Sequence, residues 1–204
     1  VLADGQPIVW LARLAGRPLK QRVAGSDLFP LLCAHAARQG HRVFFLGGDP
    51  GAAEAARDVL VDRHPDLQVV GTHCPPMGFD RDPEAQRVAL EAVRAARPDI
   101  VFVGLGSPKQ ERWIVAHQHE YGPAVSIGVG ISFSFVAGHV RRAPRWMQRI
   151  GLEWLHRVSM EPRRLWKRYF IDGWAFLPVV WNELFRRRDA GTAADDARLD
   201  SQLS

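Results

Sequence analysis

Four short apolar runs, at residues 43–46, 68–70, 100–103 and 125–129, alternate with helical patterns at 26–39, 50–63, 83–97 and 108–120. That alternation restricts the fold more than any other feature of the chain. Strands separated by helix-length segments do not pair as hairpins. They read as βαβ units, so the predicted class is α/β with a mostly parallel sheet flanked by helices. Local signals mark the helix ends. Asp27 stands near the start of the first pattern and Gly40 follows its end. Asp49–Pro50, Asp82–Pro83 and Ser107–Pro108 each read as an N-cap with proline at the first helical position.

Three of the four runs end in glycine: Gly47-Gly48, Gly104-Leu105-Gly106 and Gly128-Val129-Gly130. In a parallel sheet these ends share one edge, where ligands of open α/β sheets bind. One Gly-x-Gly is also a plain strand stop. Three on one edge predict a nucleotide-sized crevice. The segment 99–112 is the richest part of it, because Ser107, Pro108, Lys109, Gln110 and Glu111 follow the glycines at a helix start. Free backbone N–H groups and the positive helix end make such a start an anion site. The plain alternative is a solvated first turn, where Glu111 suits the helix dipole. Gly-x-Gly-x-x-Gly is not completed by Ser107-Pro108-Lys109, and no Walker pattern occurs, so ordinary dinucleotide and P-loop chemistry are disfavoured.

Other motifs are weaker. Asp4-Gly5 follows an apolar run, and a carboxylate there reads as a turn, an N-cap or a general base. Asp80-Arg81-Asp82 has the Asp-x-Asp form of a cation site, yet Asp82 precedes Pro83 and a helical pattern, which favours capping. His117 and His119 point apart on a helix, and His73-Cys74 has no further ligands nearby in sequence. No metal and no cofactor are predicted. Cys33 and Cys74 are the only cysteines, and their spacing suggests free thiols in a reducing setting.

Charge divides the chain. Residues 1–140 hold 14 Lys/Arg and 14 Asp/Glu, whereas 141–188 hold 12 and 4, and 189–204 hold 1 and 4. We therefore expect an α/β core at 1–140, a helical appendage at 141–188 and a disordered tail at 189–204. The core begins at Val1 inside an apolar run and reads as N-terminally truncated. The appendage carries five of the seven tryptophans, with helical patterns at 144–160, 162–169 and 172–188. No run reaches the roughly 20 apolar residues of a membrane span. Interleaved tryptophan and arginine suit a membrane surface. A packed helix pair and a nucleic-acid contact are the alternatives, and the neutral core argues against the last.

Several blocks taken together resemble one family. They are Ala3-Asp4-Gly5 with Val9-Trp10, residues 22–27, 44–48, 75–79 and 99–111, Gly128-Val129-Gly130 with Ala137-Gly138, and residues 142–144, 146–148, 151–154 and 161–166. In this order they resemble the WecG/TagA/CpsF glycosyltransferases over about residues 3–170. The resemblance implies a Rossmann-like fold and an inverting, metal-independent transfer of a hexose or N-acetylhexosamine from a UDP-sugar to a polyprenyl-diphosphate-linked sugar. The pathway implied is the synthesis of exopolysaccharide, capsule or teichoic acid. It implies Asp4 as base, and a C-terminal segment that meets the inner face of the cytoplasmic membrane and contributes arginines. Arg142, Arg145, Arg149 and Arg164 are the candidates for acceptor or diphosphate binding. Gly47, Gly48, Gly104, Gly106, Ser107, Pro108, Lys109, Gln110, Glu111, Gly128 and Gly130 are the candidates for donor binding. Two departures stand out. The family's Thr-x-Asn element precedes the point where this chain starts, and Ser134 in Phe133-Ser134-Phe135 stands where the family often has Asp. If that Asp binds donor hydroxyls, Ser134 alters donor choice. No nucleic-acid partner is expected, and self-association is left open. The competing expectation is a non-catalytic nucleotide-sugar-binding module with a membrane-docking tail.

Overall fold

The computed structural model describes residues 9, 12–13, 16–20, 23–149 and 152–160. The chain divides into two compact units, Val23–Arg142 and one made of Val1–Arg22 with Ala143–Ser204. The first unit runs α1 (Gly25–Gln39), β1 (Arg42–Gly47), α2 (Ala52–Arg63), β2 (Gln68–His73), a 3-10 turn (Phe79–Arg81), α3 (Pro83–Ala96), β3 (Ile100–Gly104), α4 (Lys109–His117), β4 (Val125–Gly128) and α5 (Ser132–Val136). The strands form one sheet in the order β2-β1-β3-β4, and every pairing is parallel. The expected α/β class is what the chain adopts.

Strand residues alternate between two cores. Val43, Phe45 and Phe102 join Phe29, Cys33 and Phe133 on the α1, α2 and α5 face. Phe44, Leu46, Val101 and Val103 join Leu90, Val93 and Trp113 on the α3 and α4 face. Burial on both faces explains why β1 and β3 read as unbroken apolar runs rather than alternating ones. Phe29 meets Phe45, Phe102 and Phe133 edge-on, with ring centroids 5.3, 4.9 and 5.2 Å away. Burial pushes the Cys33 thiol up to about 12, so it behaves as a small core hydrophobe. Both described cysteines are free.

Helix ends follow the sequence signals unevenly. Gly40 caps α1 in the left-handed region at φ 70°. The Asp82 carboxylate accepts from the N–H groups of Glu84 and Ala85 at 3.0 and 3.2 Å and caps α3, as expected. The other two starts differ. α2 begins at Ala52, with Gly51 at φ 79° in the cap position and the Asp49 carbonyl accepting from Ala52 N–H at 2.9 Å. α4 begins at Lys109, with Pro108 rather than Ser107 at the cap and no side chain capping it. There the Gly106 carbonyl already accepts from Gln110 N–H at 3.0 Å, which closes the first turn by backbone alone.

In the second unit the expected helix at 144–160 is two helices, α6 (Arg145–Arg149) and α7 (Glu153–Met160). The segments predicted at 162–169, 172–188 and 189–204 lie outside the described residues. No helix among the described residues is long and apolar enough to cross a membrane.

Removing Phe102 tests the aromatic cluster. Phe102→Ala should cost about 3–5 kcal/mol of unfolding free energy, read as a lower urea midpoint with an unchanged slope.

Candidate functional site

The strand order fixes where a ligand can enter. From β1 the chain leaves through α2 to β2 on one side, then returns through α3 to β3 on the other. The carboxyl ends of β1 and β3 therefore bound a topological switch point, the usual crevice of an open parallel sheet. Gly47 and Gly104 are direct register partners there. Gly48 N–H donates to the Gly104 carbonyl at 2.9 Å and closes the crevice floor.

The strand-end glycines have internal reasons to be glycine. A Cβ on Gly104 would stand 2.7 Å from Phe133 Cε2 and 2.9 Å from the Gly130 carbonyl oxygen. A Cβ on Gly128 would meet Gln110 Nε2 at 2.7 Å. Phe133 and Gln110 thus lie directly on the backbone at the ends of β3 and β4. Gly47 is crowded in the same way by Leu105, and Gly48 by Phe133. Gly106 and Gly130 are turn positions at φ 76° and 56° with open space beyond. Six of the predicted donor-binding glycines therefore gather at one edge, but four of them serve packing directly.

The first turn of α4 divides its side chains between the protein and the crevice. Gln110 is buried, and its Oε1 accepts from Gly130 N–H at 3.1 Å while its Nε2 donates to Glu111 Oε1 at 3.0 Å. It ties α4 to the loop after β4. Lys109 Nζ donates to Asp80 Oδ1 at 2.7 Å, an ion pair that is half exposed. That hydrogen bond holds the Asp80 carboxyl below its ordinary range. Ser107 and Pro108 are exposed. Asp80 and Asp82 are thus committed to a lysine and to a helix cap. His117 Nδ1 lies 2.8 Å from Glu120 Oε1. No group of three His, Cys, Asp or Glu side chains suited to a metal occurs among the described residues.

Of the predicted arginines, Arg142 pairs through both terminal nitrogens with Asp27 in the first turn of α1. The two residues are 115 positions apart. Arg145 and Arg149 fall in α6, and of these two residues only the backbone is described. Asp4 and Arg164 lie outside the described residues.

The structure gives Ser134, Asp49, Thr72 and Glu54 contacts that the sequence pattern does not show. Ser134 Oγ is buried and donates to Asp49 Oδ2 at 2.9 Å. The sequence predicts Asp49 as an N-cap, but no side chain caps α2 among the described residues. The Asp49 side chain is instead held by α5, just past the Gly47-Gly48 strand end. Thr72 Oγ1 donates to Glu54 Oε1 at 3.0 Å, and the Cys74 thiol donates to the Gly48 carbonyl at 3.4 Å. The position of Asp49 after a glycine pair at a strand end was the one available signal.

A family model described as "Glycosyl transferase WecG/TagA/CpsF family" matches residues 1–190. Similar curated proteins include an N-acetylglucosaminyldiphosphoundecaprenol N-acetyl-beta-D-mannosaminyltransferase from Bacillus subtilis (strain 168), 36% identical over 168 residues. A protein of the same name from Staphylococcus aureus (strain MW2) is 34% identical over 170 residues. Each match covers 82% of this chain, which spans 63% of the first relative and 62% of the second.

The packing at Gly104 gives a direct test. Gly104→Ala should displace Phe133 or the Gly130 carbonyl and cost about 1–3 kcal/mol, read as a lower melting temperature. Gly106→Ala has open space at its Cβ, so its penalty is limited to the strain of a positive φ, about 1 kcal/mol.

Proposed function

Because the chain belongs to the WecG/TagA/CpsF glycosyl transferase family, we propose that it transfers a sugar from a UDP-sugar to a polyprenyl-diphosphate-linked sugar in cell-surface polysaccharide synthesis. The observation that carries the reading is the switch-point crevice, with Gly47 and Gly104 in register and the Lys109 start of α4 beside it. A backbone floor next to a helix N-terminus suits a nucleoside diphosphate. The names of the relatives make N-acetylmannosamine the first donor sugar to test and N-acetylglucosaminyl-diphosphoundecaprenol the first acceptor.

In the proposed reaction the donor diphosphate lies against the Ser107-Pro108-Lys109 turn, and Asp4 takes the proton from the acceptor hydroxyl as that oxygen attacks the anomeric carbon. The carbon–oxygen bond to UDP breaks with inversion. The departing diphosphate gains negative charge, which Lys109, backbone N–H groups and arginines of the basic segment compensate. Lys109 reaches a phosphate by leaving Asp80, and Arg142 by leaving Asp27. Arg145, Arg149 and Arg164 belong to a segment, 141–188, that holds 12 Lys/Arg against 4 Asp/Glu. Trp146 is 60% exposed in that segment. Exposed tryptophan among arginines supports peripheral docking at an anionic leaflet, where a polyprenyl acceptor resides.

Mass spectrometry of products from a panel of UDP-sugars with a short lipid-linked acceptor tests the transfer. A disaccharide product is expected, and UDP binding without product would favour the non-catalytic module. Asp4→Asn should lower turnover by about 10²–10⁴ while UDP affinity stays unchanged. Activity should persist in EDTA, and rescue only by Mg²⁺ or Mn²⁺ would count against metal-free transfer.

A further inference from the structure

On the β2 side of the crevice, opposite the α4 start, two buried polar atoms have no hydrogen-bond partner among the described residues: Glu54 Oε2 and His73 Nε2. Glu54 sits in the first turn of α2, and His73 ends β2 in register with Leu46, one residue before Gly47. Both therefore lie at the carboxyl edge of the sheet. The Glu54 carboxylate is near enough to His73 and Cys74 to influence the titration of both.

The chemistry of this corner excludes several ligands. Among the described residues neither Asp49 nor Glu54 forms an ion pair. Each carboxylate is instead steadied by one neutral hydroxyl, Ser134 for Asp49 and Thr72 for Glu54. Two uncompensated carboxylates repel a phosphate, so the corner does not take the diphosphate. No three of its side chains are grouped so as to hold a metal ion. A buried carboxylate oxygen without a cation is satisfied by O–H or N–H donors. Burial lowers the His73 pKa, against the opposing effect of Glu54, so the imidazole is neutral and offers one nitrogen as donor or acceptor. The Cys74 thiol is raised by burial first, then by Glu54 and Asp49, and stays a thiol that donates to Gly48.

We propose that Glu54 and His73, with Asp49 at the rim, form a hydroxyl-reading subsite that grips adjacent hydroxyls on a ring of the bound nucleotide-sugar. Glu54 Oε2 accepts one hydroxyl proton, and His73 Nε2 bonds its neighbour. This rests on the UDP-sugar reading above and deepens it. The ring is either the ribose or the transferred hexose, since both present adjacent hydroxyls. A site built to hydrogen-bond a hydroxyl discriminates strongly against an analogue that lacks it, because the buried polar groups are then left unpaired.

Calorimetry on the full chain separates these cases. UDP, 2′-deoxy-UDP and a UDP-sugar are titrated into the wild-type protein and into Glu54→Gln, which removes the charge but keeps an acceptor for Thr72. If the subsite holds ribose, the wild-type preference for UDP over 2′-deoxy-UDP falls about tenfold or more in the variant. If it holds the hexose, the preference for UDP-sugar over UDP collapses by a similar factor while UDP binding is unchanged. Both preferences persisting unchanged in a variant with the wild-type melting temperature overturns the subsite and leaves a buried water as the partner of these atoms. If Glu54→Gln fails to fold, His73→Gln carries the same comparison with the same outcomes. A wild-type chain that binds no uridine nucleotide removes the transferase reading together with the subsite. Nucleotide binding with unaltered preferences removes the subsite alone.

Discussion

The ring of Phe133 rests on the backbone of Gly104, where a Cβ would lie 2.7 Å from its Cε2. The same ring stacks on Phe45 at 5.2 Å and meets Phe29 at 5.2 Å. One side chain therefore joins the aromatic core between α1 and the sheet to the floor of the crevice. Its seat depends on glycine at 104, and the crevice floor depends on Gly104 accepting from Gly48 N–H. Aromatic contacts of this kind contribute about 0.5–1.5 kcal/mol each beyond burial, enough for the core to hold the strand ends in one arrangement. Gln110 does the same at β4, its carboxamide lying over Gly128 and bonded to Gly130. The edge that faces a ligand is thus set from beneath by packed side chains.

That rigid floor carries an asymmetric set of charges. At the α4 start Lys109 is paired with Asp80 in a half-exposed contact, which exchanges easily because solvated ion pairs contribute little. At the α2 start Asp49 and Glu54 have neutral partners only among the described residues. A phosphate and a polyhydroxylated ring differ in what they need: cations and N–H donors for one, acceptors for the other. The two ends of the crevice supply these separately. On the proposed function this separation orients a nucleotide-sugar, and it is what joins the proposed transferase reading to the proposed subsite.

Local chemistry was legible where the chain's own neighbours decide the outcome. The buried runs of β1 and β3, the left-handed Gly40 after α1 and the Asp82–Pro83 start of α3 all depend on residues within a few positions. Where distant residues compete, sequence order is silent. Asp49 looks like an N-cap because Pro50 follows it, yet Ser134, 85 positions away, holds its side chain. Arg142 looks available in a basic segment, yet Asp27 engages it across 115 positions. Gln110 looks like a ligand holder at a helix start, yet it is buried against β4. The four strand-end glycines that serve packing show the same limit. Their pattern marks the right edge of the sheet, but a glycine required by Phe133 and one required by a ligand look alike in sequence.

The commitments of Lys109 and Arg142 bear on how a transfer could be charge-balanced. On the proposed function, UDP departs with more negative charge than it carried as a donor, and that charge needs cations at the moment of bond cleavage. Both Lys109 and Arg142 are held by carboxylates in the unit Val23–Arg142, and residues 1–140 are neutral in sum. A cation released from a carboxylate leaves that carboxylate behind, so the exchange of Lys109 or Arg142 adds little net stabilisation. The segment 141–188, with 12 Lys/Arg against 4 Asp/Glu, has charge to spare. Its arginines are therefore the better source of leaving-group stabilisation.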